Sequence, residues 1–312
     1  NPLYAYIKAR AVRKEIQKLQ PDIIHITVEP YAAMLPQLGR DVATKTILTI
    51  HGSYGVRMFQ GFINKKRGHF AIKHIHACIV VSAYTKKRVL EEVQKLFGES
   101  AAEEFAKKIT IIQNCATPPS ATENPSNTKK QILCVGGVKP RKGILESLQA
   151  LQLYRKDHDD NVHFTVVGTY NPEDAYAQTL KQYIQDNALE DCVTFTGMLL
   201  DTELQALYAK ADLYLMPSLT THNTFEGFGI VYVEAAGYGI PCIGTNDSGA
   251  AEAIDDGVSG YKYDPNDAAG IASGMADVLI HQKIQRAACR AWAEKHTPEH
   301  MIEKTLAVYL SL

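Results

Sequence analysis

No apolar run in this 312-residue chain approaches the ~20 residues that a membrane-spanning helix needs. None of the six cysteines (Cys78, Cys115, Cys134, Cys192, Cys242, Cys289) stands in a C-x-x-C pair. That removes the usual zinc and redox signatures. Most of these cysteines lie in or beside apolar runs, which fits reduced, buried thiols in the cytoplasm. There is no G-x-G-x-x-G fingerprint with an acidic residue placed to hold a ribose, so a nicotinamide-dependent oxidoreductase is a poor reading. No short-period repeat is present, and the histidines His69, His74 and His76 lack metal-ligand spacing. No signal peptide is legible, although the chain begins at Asn1 rather than Met.

What is present is the composition of a globular protein, 46% hydrophobic and 21% charged, long enough for two ordinary domains. The net charge of −1 hides an asymmetry. Residues 1–115 hold 18 basic and 9 acidic side chains; the remainder hold 15 and 25. A basic first half suits an anionic partner, such as an acidic lipid leaflet or an acidic substrate. No recognised nucleic-acid motif accompanies the charge, so nucleic acid is not expected. An uneven but ordinary solvated surface explains the same counts.

The patterning alternates strands and helices. An amphipathic helix over Tyr4–Leu19, with Ile7, Ala11, Ile16 and Leu19 near helical spacing, stops at Pro21-Asp22. Strands follow at Ile23–Val28, Thr44–Ile50, Ala77–Val81 and Ile109–Ile112. Pro118, Pro119 and Pro125 mark a linker over 116–130. A second series begins with a strand at Gln131–Val135 and a helix at Gly143–Tyr154. Strand and helix then alternate to Pro241–Gly244, and helix is expected from Ala268 to the end, interrupted near Thr297-Pro298. Such alternation is the mark of parallel α/β sheets. The expected fold class is therefore α/β, two Rossmann-like doubly wound domains facing a cleft: residues 1–115 and 131–296, with a helix at 297–312 packing back on the first. His51, Ser82, Asn114, Gly136, Gly168, Gly197 and Ser218 fall at strand ends, where doubly wound folds bind ligands.

Two stretches carry chemistry. Val135–Gly143 turns from strand to helix with glycines at 136, 137 and 143 and cations Lys139, Arg141 and Lys142. Glycine lets the backbone approach a ligand and the cations neutralise phosphate. The plainer reading is a helix start with solvated charges, Pro140 entering the helix. The second stretch is Glu226-Gly227-Phe228-Gly229-Ile230-Val231-Tyr232-Val233-Glu234. On one helix the two glutamates would differ by about 80° around the axis. The better placement sets Glu226 in the loop and Glu234 two turns into the helix, flanking an anion at the helix N-terminus. That is not the facing carboxylate pair of a glycoside hydrolase.

Together these motifs resemble the donor-binding domain of retaining glycosyltransferases of the GT-B fold, family 4 type. The resemblance covers residues 131–264. It rests on Val135–Gly143, Val193–Met198, Ala211–Ser218, the Glu226…Glu234 pair, Ser248–Glu252 and Asp256–Gly260. The first half matches more loosely through His51-Gly52, Val81-Ser82 and Ile112–Asn114. The resemblance implies a metal-independent hexosyltransferase using a nucleotide-diphosphate sugar of UDP or GDP type, with no prosthetic group. Glu226 would contact the sugar hydroxyls. Gly227, Phe228, Gly229 and Ile230 would bring backbone to the sugar and distal phosphate, and Glu234 would hold the ribose. Lys142, with Arg141, Lys139 and the Gly137 turn, would stabilise the diphosphate. Met198 would line the base pocket, and His51 would serve the reacting carbon and acceptor. The acceptor would be a lipid-linked or anionic glycan.

Gly137 stands where the family usually has Arg, and Asn114-Cys115-Ala116-Thr117 where it usually has Asn-Gly-Val-Asp. The family's first strand and Gly-rich loop are absent, so the first domain is expected to be truncated at its N-terminus. A sugar-nucleotide epimerase of the same architecture and a non-catalytic nucleotide-sugar-binding module are the alternatives. Met58–Phe70 interleaves Phe59, Phe62, Ile63 and Phe70 with Lys65, Lys66 and Arg67. It suits either peripheral contact with the inner membrane face or a core-facing helix with a basic outer side.

Overall fold

The computed structural model describes residues 2–38, 45–119 and 127–312. The Ile7 side chain, Thr44 and the centre of the linker, including Pro125, lie outside the described residues. The chain folds as two compact units: Asn1–Asn114 with Met301–Leu312, and Cys115–His300.

The first unit runs α1 (Pro2–Leu19), β1 (Ile23–Ile26), a 3-10 turn at Glu29–Met34, α2 (Leu35–Leu38) and β2 (Lys45–Ile50). It continues with α3 (Ser53–Arg57), α4 (Phe62–His74), β3 (Ala77–Val80), α5 (Ala83–Phe97), α6 (Glu99–Ala106) and β4 (Ile109–Ile111). The four strands are parallel in the order β1-β2-β3-β4. β3 is buried on both faces and nearly all of β2 is buried, which is why both read as unbroken apolar runs. Ser82 accepts the Thr85 N–H at 2.9 Å and so starts α5.

The second unit holds β5 (Lys130–Val135), a 3-10 turn at Pro140–Lys142, α7 (Ile144–Asp157), β6 (Val162–Val167), α8 (Ala175–Asp186) and β7 (Val193–Gly197). Next come α9 (Asp201–Lys210), β8 (Leu213–Leu215), α10 (Ile230–Gly237), β9 (Cys242–Thr245) and β10 (Gly260–Tyr263). The last helices are α11 (Ala268–Leu279), α12 (Arg286–Ala293) and α13 (Pro298–Leu310). Six parallel strands stand in the order β10-β9-β8-β5-β6-β7. From β5 the chain winds outward to β7, then returns to β8 on the other side. The order therefore reverses between β5 and β8, the place where doubly wound sheets open a ligand crevice.

Met301–Leu312 belongs to the first unit: Val308 packs with Ile47, Ala77, Ile79 and Ile112. Tyr309 meets His25 at 2.6 Å between its hydroxyl and Nδ1. The expected helix from Ala268 to the end is corrected. It breaks between Leu279 and Arg286 as well as before Pro298, with Gln282 in the left-handed region at φ 49°.

Candidate active site

The loop after β5 is shaped by close approach. Gly143 has φ 66°, and a Cβ there would overlap the Pro217 carbonyl oxygen, so only glycine lets the loops after β5 and β8 touch. Lys139 precedes the 3-10 turn, and Pro140 enters that turn rather than α7 itself, whose first residue is Ile144. The turn fixes Arg141 and Lys142 on the inner side of the loop, while Lys139 is exposed. Gly137 has its own reason: a Cβ would sit 2.5 Å from Thr169 Oγ1. An arginine at 137 would therefore first have to turn the Thr169 side chain aside.

The loop after β8 returns to the same point. Glu226 Oε2 accepts from Arg141 Nη1 at 2.7 Å and from Lys142 Nζ at 2.8 Å. The Glu226 carbonyl accepts the Gly249 N–H at 3.0 Å, and Leu219 N–H donates to the Arg141 carbonyl at 2.9 Å. Burial pushes the Glu226 carboxyl up, but Lys142 and Arg141 outweigh it and hold it below the usual carboxylate range. Lys142 is 8% exposed. An ammonium this enclosed needs an anion, and its partner here is a loop carboxylate from 84 residues away.

Gly227, Phe228 and Gly229 lead into α10, with left-handed Gly229 (φ 83°) as its N-cap. Phe228 is buried, its ring 5.7 Å from that of His296. Ile230 is the first helical residue. Glu234 thus lies just over one turn into α10, not two, because the helix begins four residues after Glu226. Its Oε2 accepts from Tyr208 Oη at 3.0 Å. Burial raises the Glu234 carboxyl above the usual range, and the Tyr208 hydrogen bond opposes that rise. Tyr208 is itself stacked on Tyr238 at 5.2 Å. Met198 follows β7 and is 72% exposed. Gly197 ends β7 rather than following it, and Asn114 and Ser218 stand three residues beyond their strands.

Arg141, Lys142 and Glu226 are thus in direct contact, with Gly137 on the loop of the two cations and the entry to α10 on the loop of Glu226. Glu234 is engaged separately, and Lys139 and Met198 face solvent. Sequence reasoning missed Tyr208 and Thr169; neither sits in a motif, and both act through contacts distant in sequence.

His51 belongs to the first unit, directly after β2. Its Nε2 lies 2.8 Å from the Thr27 carbonyl oxygen, an acceptor only, so Nε2 carries the proton and donates. The His51 backbone N–H donates to Glu29 Oε1 at 2.7 Å. Among the described residues no group of three or more His, Cys, Asp or Glu side chains is arranged to hold a metal ion. The six cysteines are free, five of them buried.

Residues 119–296 match the family described as Glycosyl transferases group 1, and residues 1–96 match Glycosyltransferase Family 4. A glycogen synthase of Mycobacterium tuberculosis is 30% identical over 228 residues, 71% of this chain and 51% of that protein. A GDP-mannose-dependent alpha-(1-6)-phosphatidylinositol monomannoside mannosyltransferase of the same organism is 29% identical over 222 residues, 68% of this chain and 55% of that protein. The chain therefore spans about half the length of these curated relatives. Among solved structures, HepE of Anabaena in complex with UDP and glucose superposes with a TM-score of 0.76 at 20% identity. It covers 97% of this chain and 80% of its own. That likeness establishes the GT-B fold class, two Rossmann-like units each built on a parallel sheet.

Proposed function

Because the chain belongs to the group 1 glycosyl transferases, we propose that it is a retaining glycosyltransferase taking a sugar from a nucleotide-diphosphate donor of UDP or GDP type. The observation that carries this is the ion-paired cluster Arg141–Glu226–Lys142 at the point where the strand order of the second sheet reverses. Without donor, Glu226 satisfies both cations. With donor, the diphosphate takes over the cations, and the released carboxylate accepts from the sugar hydroxyls. Lys142 and Arg141 then stabilise the charge that grows on the leaving diphosphate, aided by the N-terminus of α10. That is the task a divalent cation performs in other enzymes, and it makes the reaction metal-independent. Glu234, braced by Tyr208, holds the ribose; Met198 borders the base. Front-face attack by the acceptor hydroxyl retains the anomeric configuration, with His51 as the group serving the acceptor.

The acceptor is a lipid-linked or anionic glycan. Support comes from the mannosyltransferase relative, whose name places a phosphatidylinositol mannoside on the acceptor side. Contact with the inner face of a membrane is favoured by α4. Phe62 and Ile63 are 75% and 59% exposed there, beside Lys66, whose ammonium lies 4.3 Å from the Phe62 ring centroid. No helix among the described residues is long and apolar enough to cross a membrane.

The test is a thermal-shift screen of UDP-, GDP- and ADP-sugars, followed by mass spectrometry of products with and without acceptor. Stabilisation by a nucleotide sugar and an acceptor-dependent glycoside support the reading. Isomerised donor without acceptor would make the protein an epimerase, and binding without turnover would make it a binding module.

A further inference from the structure

The positive charge of the first unit is not spread evenly once its pairings are counted. On α5, Lys87 and Arg88 lie beside Glu91, and Lys95 beside Glu92. Lys107 pairs with Glu104, and the Lys108 ammonium caps the carbonyls of Ile72, Lys73 and Ile75 at 2.8–3.1 Å. By contrast, Arg57 at the end of α3 and Arg67 in α4 have no carboxylate partner among the described residues. Both line a cavity of about 480 Å³ between the Glu29–Met34 turn, α3 and α4. That size is within the range of small-molecule sites.

The cavity wall suits a phosphorylated polyol. Arg57 rests on the Tyr54 ring, 5.6 Å from its centroid, which restricts the guanidinium before any ligand arrives. Two arginines offer forked donors that match phosphate oxygens. Gln60 and Asn64 add carboxamides that can both donate to and accept from hydroxyls. The one carboxylate of the wall, Glu29, is 3% exposed and held by the His51 backbone N–H, and neither arginine is paired with it. The same hydrogen bond ties the cavity wall to His51, the acceptor-side group.

We propose that this cavity is an acceptor subsite for a phosphate monoester or diester, with Arg57 and Arg67 as its anion-reading residues. The inference rests on the glycosyltransferase reading and narrows its acceptor to one that carries a phosphate. The phosphate has two sources, a free sugar- or polyol-phosphate and a phospholipid headgroup.

Calorimetric titration of the full chain with sn-glycerol 3-phosphate, and with glycerol as control, is the test. Flotation with phosphatidylglycerol vesicles, against phosphatidylcholine vesicles, reads the second source. The proteins are wild type, R57Q/R67Q, a K87Q/K95Q control that removes equal charge from α5, and K142A, which weakens the donor loop. Thermal unfolding of each variant verifies folding, and R67K keeps the charge while losing the fork.

The expected result is at least a tenfold loss of the phosphate probe in R57Q/R67Q, a smaller loss in R67K, and no loss in K87Q/K95Q or K142A. Selective loss of the soluble ester identifies a free phosphate acceptor; selective loss of vesicle binding identifies a headgroup. Binding that is absent in wild type, indifferent to R57Q/R67Q, or lost in K142A alone overturns the proposal. Failure of wild type to bind any nucleotide sugar would instead overturn the donor reading, and the phosphate titration would be unaffected by it.

Discussion

The two parallel sheets differ in the order of their strands. The described strands of the first run β1-β2-β3-β4 in one direction, whereas the second reverses between β5 and β8. A reversal sends neighbouring loops apart in opposite directions and leaves a crevice above the sheet edge. In the second unit that place holds Arg141 and Lys142, two cations that share the single carboxylate of Glu226. In the first unit His51, directly after β2, has a backbone-anchored ring, and Arg57 at the end of α3 and Arg67 in α4 have no carboxylate partner among the described residues. The difference fits a division of labour under the proposed function. On the proposed function, a site with internal counter-charge suits an anion that comes and goes, the donor diphosphate. On the proposed reading, Arg57 and Arg67, without a carboxylate partner among the described residues, would take an anion supplied by the acceptor.

The largest expected effect breaks the second unit's clamp. Glu226→Ala should lower transfer by about 10²–10³-fold, as loss of a preorganised polar contact does. Nucleotide affinity should hold or rise, since the two cations lose their internal competitor. Initial rates and calorimetry on the same preparation measure both, and an equal fall in the two would remove Glu226 from the sugar. Next, Gly143→Ala should destabilise the fold by about 2–4 kcal/mol, because it strains a left-handed residue against the Pro217 carbonyl. Gly137→Ala should cost less, since only the Thr169 side chain must turn. Thermal unfolding of the pair reads the ranking directly.

Much of this is legible in the chain itself. The β5 turn announces itself through Gly136, Gly137, Pro140 and Gly143, residues whose backbone limits are local. Glu226 and Glu234 stand out by their spacing, but the depth of Glu234 in the helix differs from expectation by a turn, since a loop ending at Gly229 leaves no sharper mark of where α10 starts. The break after Leu279 is not legible at all: the left-handed residue there is Gln282, with no glycine or proline to signal it. β10 is hidden because its residues, Gly260-Tyr261-Lys262-Tyr263, are mostly half-buried and form no unbroken apolar run. Tyr208 cannot be assigned to Glu234 from sequence, because that contact spans 26 residues and exists only once α9 and α10 are placed.

A smaller effect sharpens the ribose side. Burial raises the Glu234 carboxyl, so its ionised form is lost at a higher pH than for an exposed glutamate. Nucleotide affinity should therefore weaken on mild acidification. Tyr208→Phe should move that midpoint further up, because it removes the hydrogen bond that holds the carboxylate ionised. Affinity titrations across a pH series for both proteins decide it; an unchanged midpoint would separate Tyr208 from the ribose site. In the first unit, His51→Ala should reduce transfer and leave nucleotide affinity within about twofold, the mirror image of a Lys142 substitution. Parallel rate and binding measurements would show whether the two units divide the work as described.

The central claim is that the reversal in the second sheet holds a nucleoside diphosphate through Lys142 and Arg141. It is tested most directly by titrating UDP, GDP and ADP, each beside its nucleoside, into wild type and Lys142→Ala. One diphosphate should bind wild type and lose at least tenfold in the variant, with the nucleoside unaffected. Diphosphate binding indifferent to Lys142, or none by wild type, would contradict it.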